Sequence, residues 1–222
     1  MIESLASLWD YLQIDLFPLP SRTEQNPLFN LYSCVEPSVD RVDADQIRRE
    51  NLGFYLSSFP RCPEVLVVGE APGWRGCRFS GVPFTSEAQA AGGKLPFWGE
   101  RSSKQFTPHS EASASIFWST MRPYFPQFLT WNCLPLHPHK PGLPQSNRHA
   151  TQNEASRFDH ILCSIIHILQ PNIILAVGRL AQDNLTSLGF DCISIRHPSH
   201  GGAAAFKSGI QASFNKMGNH PL

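Results

Sequence analysis

Three polar side chains stand at the ends of short apolar runs, each followed by a turn that contains proline. They are Glu70, Asn132 and His197. Each residue alone has a simpler structural interpretation, as a solvated turn carboxylate, a turn-capping amide or a hydrogen-bonded rim histidine. If the carboxylate, the amide and the imidazole meet, with Phe84 nearby, they describe a pocket for a flat polar ring.

Four predicted strands would position these residues. Apolar runs without polar alternation are typical of strands buried on both faces, and they occupy residues 65–68, 128–131, 172–177 and 192–195. Helical patterns separate them. This alternation predicts an α/β fold: one three-layer αβα sandwich around a mainly parallel four-stranded sheet, formed as a single domain by residues 1–222. Because the carboxyl ends of parallel strands face one edge of a sheet, the three polar residues can converge there.

Helices are predicted from apolar spacing and from capping residues. They cover Leu5 to Leu16, residues 40–56 and 111–124, the segment beyond the Thr151–Glu154 capping box, the segment after Gly178, and residues 203–216. In the second helix, Arg48 and Arg49 are expected on the polar side as solvated charges.

Two parts of the chain lie outside this strand–helix pattern. Residues 1–60 are expected to form a helical extension, and residues 85–110 a long loop insertion. That loop mixes basic residues with aromatic ones, namely Lys94, Arg101 and Lys104 with Phe97, Trp98 and Phe106. This composition fits either a loop that contacts a nucleic-acid strand or a solvated insertion.

The composition is that of an ordinary globular protein, with 41% apolar and 16% charged residues. The formal net charge is zero, so no whole-protein field attracts a polyanion. No apolar run is long enough to span a bilayer, so no membrane association is expected. The first ten residues carry Glu3 and Asp10 without a basic segment, and we therefore expect a cytoplasmic protein rather than a secreted one.

The six cysteines are scattered, and no two of them form a CxxC pair. A disulfide framework is not expected in a chain of this size. Zinc and iron–sulfur sites normally contain at least one close pair of cysteines. We therefore expect no metal and no other cofactor.

Several motifs, in this order and spacing, resemble those of the uracil-DNA glycosylase superfamily. They are GEAPG at residues 69–73, GVPF at 81–84, the strand-ending Asn132, and HPS at 197–199. The segment from Asn147-Arg148 to Glu154 and the run AVGRLAQDNL at 176–185 extend the likeness, which covers roughly residues 64–209. The arrangement is most similar to family 4, the bacterial and archaeal branch that usually carries an iron–sulfur cluster.

The resemblance implies roles for the residues around the base. Phe84 matches the aromatic ring that stacks on a base extruded from DNA. Asn132 matches the amide that reads it, because its oxygen can accept from uracil N3–H while its NH2 group donates to O4. His197 matches the residue that hydrogen-bonds uracil O2 as negative charge grows on the leaving base.

The turn after the first strand would complete the site. Glu70 matches the residue that orients or deprotonates the attacking water, although the best-known branch has Gln there and its catalytic Asp aligns with Ala71. The resemblance places Ala71, Pro72, Gly73 and Trp74 beside the base. Gly73 replaces a Tyr that blocks the thymine methyl group in the best-known branch, so exclusion of thymine must fall to Trp74, Arg75 or another group.

DNA contacts are implied for the loop after the last strand, formed by Ser199, His200, Gly201 and Gly202, which matches the segment that enters the minor groove. Backbone amides at the following helix start could bind phosphate. Further phosphate contacts are expected from Arg196, Lys207, Arg148 and Lys140, each of which could equally be a solvated surface charge.

The resemblance implies a monomeric, monofunctional enzyme that hydrolyses the N-glycosidic bond of uracil flipped out of DNA. The cluster-ligating cysteines of family 4 have no counterparts, which places the chain in a divergent branch. Three alternatives stay open: a glycosylase for another deaminated base such as hypoxanthine or xanthine, a damage-binding module without turnover, and a small-molecule nucleotide-binding or hydrolase domain.

Overall fold

The computed structural model describes residues 1–22 and 25–218. Its helices are α1 (Glu3–Asp15), α2 (Ala44–Ser57), α3 (Cys77–Ser80), α4 (Glu87–Ala90), α5 (Ala112–Met121), α6 (Gln152–Ser156), α7 (Asp159–Leu169), α8 (Arg179–Ser187) and α9 (Ala203–Gly218). Its strands are β1 (Leu28–Phe29), β2 (Val65–Gly69), β3 (Phe128–Asn132), β4 (His137–Pro138), β5 (Ile173–Val177) and β6 (Ile193–Ile195). A 3-10 turn covers Arg122–Tyr124.

The four long apolar runs form one parallel sheet with the strand order β3-β2-β5-β6. Every residue of β2 and β3 is buried, as expected for strands covered on both faces. The register pairs Gly69 with Asn132 and Val177 with Ile195, which brings the carboxyl ends of these strands to one edge. The predicted α/β fold with a four-stranded, mainly parallel sheet flanked by helices is confirmed.

The first sixty residues pack into the main core. Leu5, Leu8, Leu12 and Leu16 are fully buried, and α1 packs against α7 and α2. Two-residue strands add a second link, because β1 pairs antiparallel with β4 in register Leu28–Pro138. Two residues are too few to show an alternating pattern of apolar and polar side chains, so this second sheet was not predicted from the sequence.

Arg48 corrects the prediction of a solvated charge on α2. Its side chain is fully buried, and its Nη2 lies 2.6 Å from Asp40 Oδ1. Arg78 reaches the same carboxylate, with Nη2 at 3.0 Å from Oδ2, and stands over the ring of Phe29. The side of α2 that carries Arg48 is covered by residues 29–41 and 76–81. The buried Asp40 carboxylate holds the guanidinium groups of both Arg48 and Arg78 there. Arg49 is partly exposed and pairs with Asp45 at 3.0 Å.

Residues 85–110 pack against the domain through a buried carboxylate. Glu87 is fully buried and accepts from the backbone and the hydroxyl of Ser103 and from the backbone of His109, at 2.7–3.0 Å. Two aromatic side chains of the segment face outward: Trp98 is 56% and Phe106 is 99% exposed. Residues 85–110 are therefore not a freely solvated insertion, because Glu87 near the start of the segment accepts a hydrogen bond from His109 near its end.

The capping box forms as predicted: Thr151 Oγ1 accepts from the Glu154 backbone at 3.2 Å, and the Glu154 carboxylate accepts from the Thr151 backbone at 2.9 Å. The single helix expected beyond it is instead divided at Arg157–Phe158 into α6 and α7. Within residues 1–22 and 25–218, no helix has both the length and the apolar character that crossing a membrane requires.

Candidate active site

The sheet edge carries a small cavity, here called the inner pocket, which brings together most of the predicted base-contacting residues. Its lining consists of Glu70, Ala71, Gly73, Cys77, Phe84, Glu111, Ser113, Ala114, Asn132 and His197. The parallel register explains this convergence. Glu70 follows the last residue of β2, Asn132 ends the neighbouring β3, and His197 follows β6.

Gly69 allows the aromatic and amide walls of the inner pocket to approach the end of β2. A Cβ atom at this position would lie 2.5 Å from Phe84 Cζ and 2.8 Å from Asn132 Oδ1, closer than real Cβ atoms approach other atoms. The glycine therefore sets the separation between the Phe84 ring and the Asn132 amide.

Phe84 is held in an uncommon backbone conformation, with φ of 57°. Its ring stacks on Phe117 of α5 with centroids 4.5 Å apart and planes 18° from parallel. One face is thus supported by a fully buried ring, and the residue itself is only partly buried. This arrangement leaves an aromatic surface in the pocket lining against which a flat ring can stack.

Asn132 is 5% exposed, and its side-chain amide makes no hydrogen bond to any other part of the described chain. A buried amide in a cavity wall without an internal partner is able to bind a polar ligand, because its donor and acceptor are otherwise unpaired. The backbone beside it is firmly placed, since Cys133 donates to the Gly69 carbonyl at 2.9 Å.

The hydrogen bonds of His197 define its tautomer. The backbone N–H of Ser199 donates to Nδ1 at 3.2 Å, and the Ser199 hydroxyl lies 2.7 Å from the same nitrogen. Nδ1 is therefore an acceptor, which places the proton of the neutral ring on Nε2. Burial, together with the positive charge of Arg196, lowers the pKa of His197 to about 4. The residue is a neutral donor at physiological pH.

Glu70 lies at the mouth of the inner pocket, and its side chain is 31% exposed. Its Oε1 accepts from the backbone N–H of Ala150 at 2.8 Å and lies 3.3 Å from Nδ1 of His149. The segment that precedes α6 therefore holds the carboxylate in place. A carboxylate that is fixed but still accessible to solvent can orient a water molecule.

A larger cavity of about 540 Å³, here called the outer cleft, adjoins the inner pocket. Glu70 and His197 line both cavities. The remaining lining comes from His149, Ala150, Gln152, Val177, Gly178, Arg179, Leu180, Asp183, Arg196, Ser199 and His200. Arg179 and His149 are almost fully exposed there, and the sequence analysis did not select either of them. Arg179 lies within the run at 176–185 and His149 within the segment from Asn147 to Glu154, both of which carry the family resemblance.

The predicted DNA-binding loop borders the outer cleft. His200 and Gly201 adopt left-handed backbone conformations, with φ of 50° and 75°. Ser199 connects this loop to the pocket, because it contacts both His197 and His200 through its hydroxyl. Arg196 is exposed at the same cleft.

Five predicted contact residues lie elsewhere. Pro72 is buried outside the inner pocket and uses its carbonyl oxygen to accept from His137, while Trp74 lines a separate cavity with Arg75. Arg148 is committed to Glu154, with contacts at 2.6 and 2.9 Å, and is only 14% exposed in its side chain. Direct base contacts of Pro72 and Trp74 and a phosphate contact of Arg148 do not fit this geometry. Lys207 is exposed on α9 away from both cavities, as is Lys140 on its turn.

Two side chains for which the sequence predicted no role hold residues 72–74 in the turn after β2. His137 is fully buried and donates from Nδ1 to the Pro72 carbonyl at 2.7 Å. Burial lowers the pKa of His137 to about 3, so it stays neutral. Asn147 accepts from the Trp74 backbone at 2.8 Å through Oδ1. His137 lies among prolines just after β3, and this local pattern does not connect it to Pro72.

No group of three or more His, Cys, Asp or Glu side chains within the described residues has the geometry to hold a metal ion. The six cysteines are free thiols. Cys77 lines the inner pocket, but burial raises its pKa well above the usual range for a thiol. These thiols do not form the ligand set that an iron–sulfur cluster needs.

Comparison with known proteins gives the family and the fold. The family model of the uracil DNA glycosylase superfamily matches residues 56–216. The crystal structure of wild-type Pedobacter heparinus SMUG2 shares the fold with a TM-score of 0.70 and 14% identity, over 99% of this chain and 100% of that one. No curated protein matches the sequence. The chain belongs to the uracil DNA glycosylase superfamily.

Proposed function

We propose that the protein is a monofunctional DNA glycosylase that hydrolyses the N-glycosidic bond of uracil turned out of DNA and leaves an abasic site. The observation that carries this proposal is the meeting of the Phe84 ring, the unpaired Asn132 amide and the neutral His197 in one pocket, with Glu70 at its mouth.

Recognition of the base would rest on Phe84 and Asn132. Phe84 stacks on one face of the uracil ring, while the Asn132 oxygen accepts from N3–H and its NH2 group donates to O4. Cytosine presents the opposite polarity at both positions, so it leaves two buried polar groups unpaired.

Bond cleavage would use His197 as the donor for the departing base. As the bond from C1′ to N1 breaks, its electron pair moves onto the base, and negative charge grows at O2. Nε2–H of His197 can stabilise that charge without transferring its proton, because the ring is neutral and loss of this proton would leave an imidazolate anion.

Glu70 would act on the other side of the same bond. A water molecule held by its carboxylate attacks C1′ of the oxocarbenium-like sugar, gives up a proton to the carboxylate, and forms the C1′–OH bond. Two features of the cavities support this assignment. Glu70 is fixed by Ala150, and it lies where the inner pocket meets the outer cleft, which is where a sugar would stand.

DNA is the proposed partner, and the outer cleft is its proposed site. The loop at 199–202 would enter the minor groove, and Arg179, Arg196 and His149 would face phosphates. A protein with zero net charge depends on such local groups for its affinity.

The test is an abasic-site assay on duplex and single-stranded oligonucleotides that contain uracil, hypoxanthine, xanthine or a T·G mismatch. We expect strand breaks after alkali only with uracil. Release of hypoxanthine or xanthine in preference to uracil would assign a different substrate base, and binding without any abasic product would indicate a damage-binding module.

Two substitutions connect the activity to the pocket. We expect His197→Ala and Asn132→Ala each to lower kcat by about 100-fold or more while DNA binding weakens much less. His160→Ala and Asn153→Ala, at exposed helical positions, are the matched controls and should keep wild-type rates. Equal losses of turnover and DNA affinity in the pocket variants would contradict their assigned roles.

A further inference from the structure

One wall of the inner pocket carries a carboxyl group that the motif comparison did not select. Glu111 lies just before α5, and its side chain lines the pocket with Gly73, Ser113 and Ala114. Among residues 1–22 and 25–218, it forms no ion pair with a cationic side chain. Asp40 and Glu154 are paired with arginine, and the buried Glu87 accepts three hydrogen bonds, whereas the hydrogen bond that Glu111 receives comes from Ser113.

Two glycines make room for this carboxyl group. A Cβ atom on Gly73 would lie 2.6 Å from Glu111 Oε1, and a Cβ atom on Gly76 would overlap Oε2. The turn between them is closed by a hydrogen bond from the Gly76 backbone to the Gly73 carbonyl at 3.0 Å. The backbone of residues 73–76 therefore fixes where the Glu111 carboxyl group stands.

Burial raises the pKa of Glu111, and a hydrogen bond from Ser113 opposes part of that effect. The group is thus poorly hydrated. An apolar substituent pressed against it would remove its remaining contacts with water and offer no hydrogen bond in exchange, which is unfavourable for a carboxyl group in either protonation state.

The proposed pose of the base decides which edge meets Glu111. In that pose N3–H and O4 face Asn132, O2 faces His197, and N1 points to the sugar at Glu70. The remaining edge, C5–C6, faces the rest of the lining, where Ala71, Cys77 and Ala114 are small and Glu111 is the longest side chain.

We propose that Glu111 is a specificity-determining residue that excludes 5-methylated pyrimidines, above all thymine, from the inner pocket. This inference rests on the proposed function, since it takes its pose from it. The exclusion combines occupied space with an unfavourable contact between a methyl group and a carboxyl group, and such a repulsive element discriminates more strongly than space alone. It also explains how a turn with glycine at position 73, and with Trp74 and Arg75 facing another cavity, can reject thymine.

The test compares the wild-type protein, Glu111→Gln and Glu111→Ala on duplexes with a U·G or a T·G pair. We expect Glu111→Ala to raise kcat/KM for thymine at least tenfold while kcat/KM for uracil falls by a smaller factor. Glu111→Gln keeps the shape and polarity of the side chain, so its uracil-to-thymine ratio should lie between the other two. Glu50→Ala, at an exposed position of α2, is the carboxylate control.

Two outcomes overturn the inference. One is thymine excision by Glu111→Ala at or below the wild-type rate; the other is complete loss of uracil excision with DNA binding kept, which would make Glu111 part of the chemistry. Circular dichroism checks that each variant folds. If the alanine variant does not fold, the inference requires the ratio of Glu111→Gln to fall below that of the wild-type protein.

A separate measurement distinguishes failure of the inference from failure of the proposed function. Binding of free uracil and free thymine is measured by NMR for all three proteins. If the wild-type protein excises no base from DNA but Glu111→Ala gains affinity for thymine relative to uracil, the proposed function fails and the exclusion stands. If Glu111→Ala gains none, the exclusion fails as well.

Discussion

At the scale of single residues, His197 shows how a backbone contact sets a chemical property. Ser199 donates its N–H to Nδ1, which leaves Nε2–H as the free donor. Burial keeps the ring neutral at physiological pH. A neutral donor can stabilise a leaving base without needing to be reprotonated between turnovers.

We expect the ring signals of His197 to titrate at about pH 4 in an NMR experiment, rather than near the usual 6.5. Because the folded pKa is lowered, the unfolded chain binds more protons between about pH 4 and 6.5. His197 therefore makes the free energy of unfolding rise with pH across that window. A midpoint at or above 6.5 would contradict the buried, neutral ring. The His197 resonance is assigned by its loss from the spectrum of His197→Asn.

The sequence could identify Glu70, Asn132 and His197 because each stands at the end of a strand that is recognisable from its own residues, and Phe84 because it ends the GVPF motif. It could not identify Glu111 or His137, since their contacts join positions that no local pattern connects. Pro72 and His137 are 65 residues apart in the chain. The distinction between Arg148 and Arg179 was hidden for the same reason: one is paired with Glu154 and the other is exposed at the outer cleft.

At the scale of elements, the buried strands were predictable and the connections were not. β2 and β5 are continuous apolar runs, and β3 and β6 are mostly apolar, whereas β1 and β4 are too short to show a period. β6 is the exception to burial, because Ile193 and Ser194 are exposed. The burial of Arg48 on α2 was missed because helical spacing places a charge on the polar face. Only the fold shows that Asp40 lies on that face too.

The Asp40 cluster, formed by Asp40, Arg48 and Arg78, leads to a prediction about the contact between α2 and the segment around α3. Burial alone would raise the pKa of Asp40, but Arg78 and Arg48 hold it below its usual value. Asp40→Ala would leave two buried guanidinium groups without their counterion, and we expect a loss of about 3–5 kcal/mol in the free energy of unfolding. Urea titration measures this loss.

Asp45→Ala is the matched control, because it removes the partner of Arg49 in a partly exposed pair on the same helix. We expect it to cost about 1 kcal/mol or less. Equal effects of the two substitutions would mean that the Asp40 cluster is no more important than a surface pair.

At the scale of the whole molecule, the structure changes the interpretation of residues 1–60. The sequence suggested an extension outside the common core, yet three leucines of α1 and the adjacent Leu16 are buried against the rest of the domain. The superfamily match begins only at residue 56. The described residues before position 56 therefore lie outside the matched region in sequence, although α1 packs against α7 within that region.

We expect residues 1–60 to unfold together with the sheet. Leu8→Ala should lower the stability of the entire chain by about 2–5 kcal/mol in one cooperative transition. Ile14→Ala, at a position of α1 that is 74% exposed, should change it by about 0.5 kcal/mol or less. A separate early transition that is shifted by Leu8→Ala, with the main one unmoved, would show that the extension folds independently.

The sharing of Glu70 and His197 by the two cavities has a consequence for the order of events after hydrolysis. The released base would lie in the inner pocket, and the abasic strand would lie in the outer cleft. DNA bound in the outer cleft, as the proposed function has it, would block the path past Glu70 and His197. The DNA with its abasic site would therefore dissociate first. The excised base would still be bound to the protein when that happens.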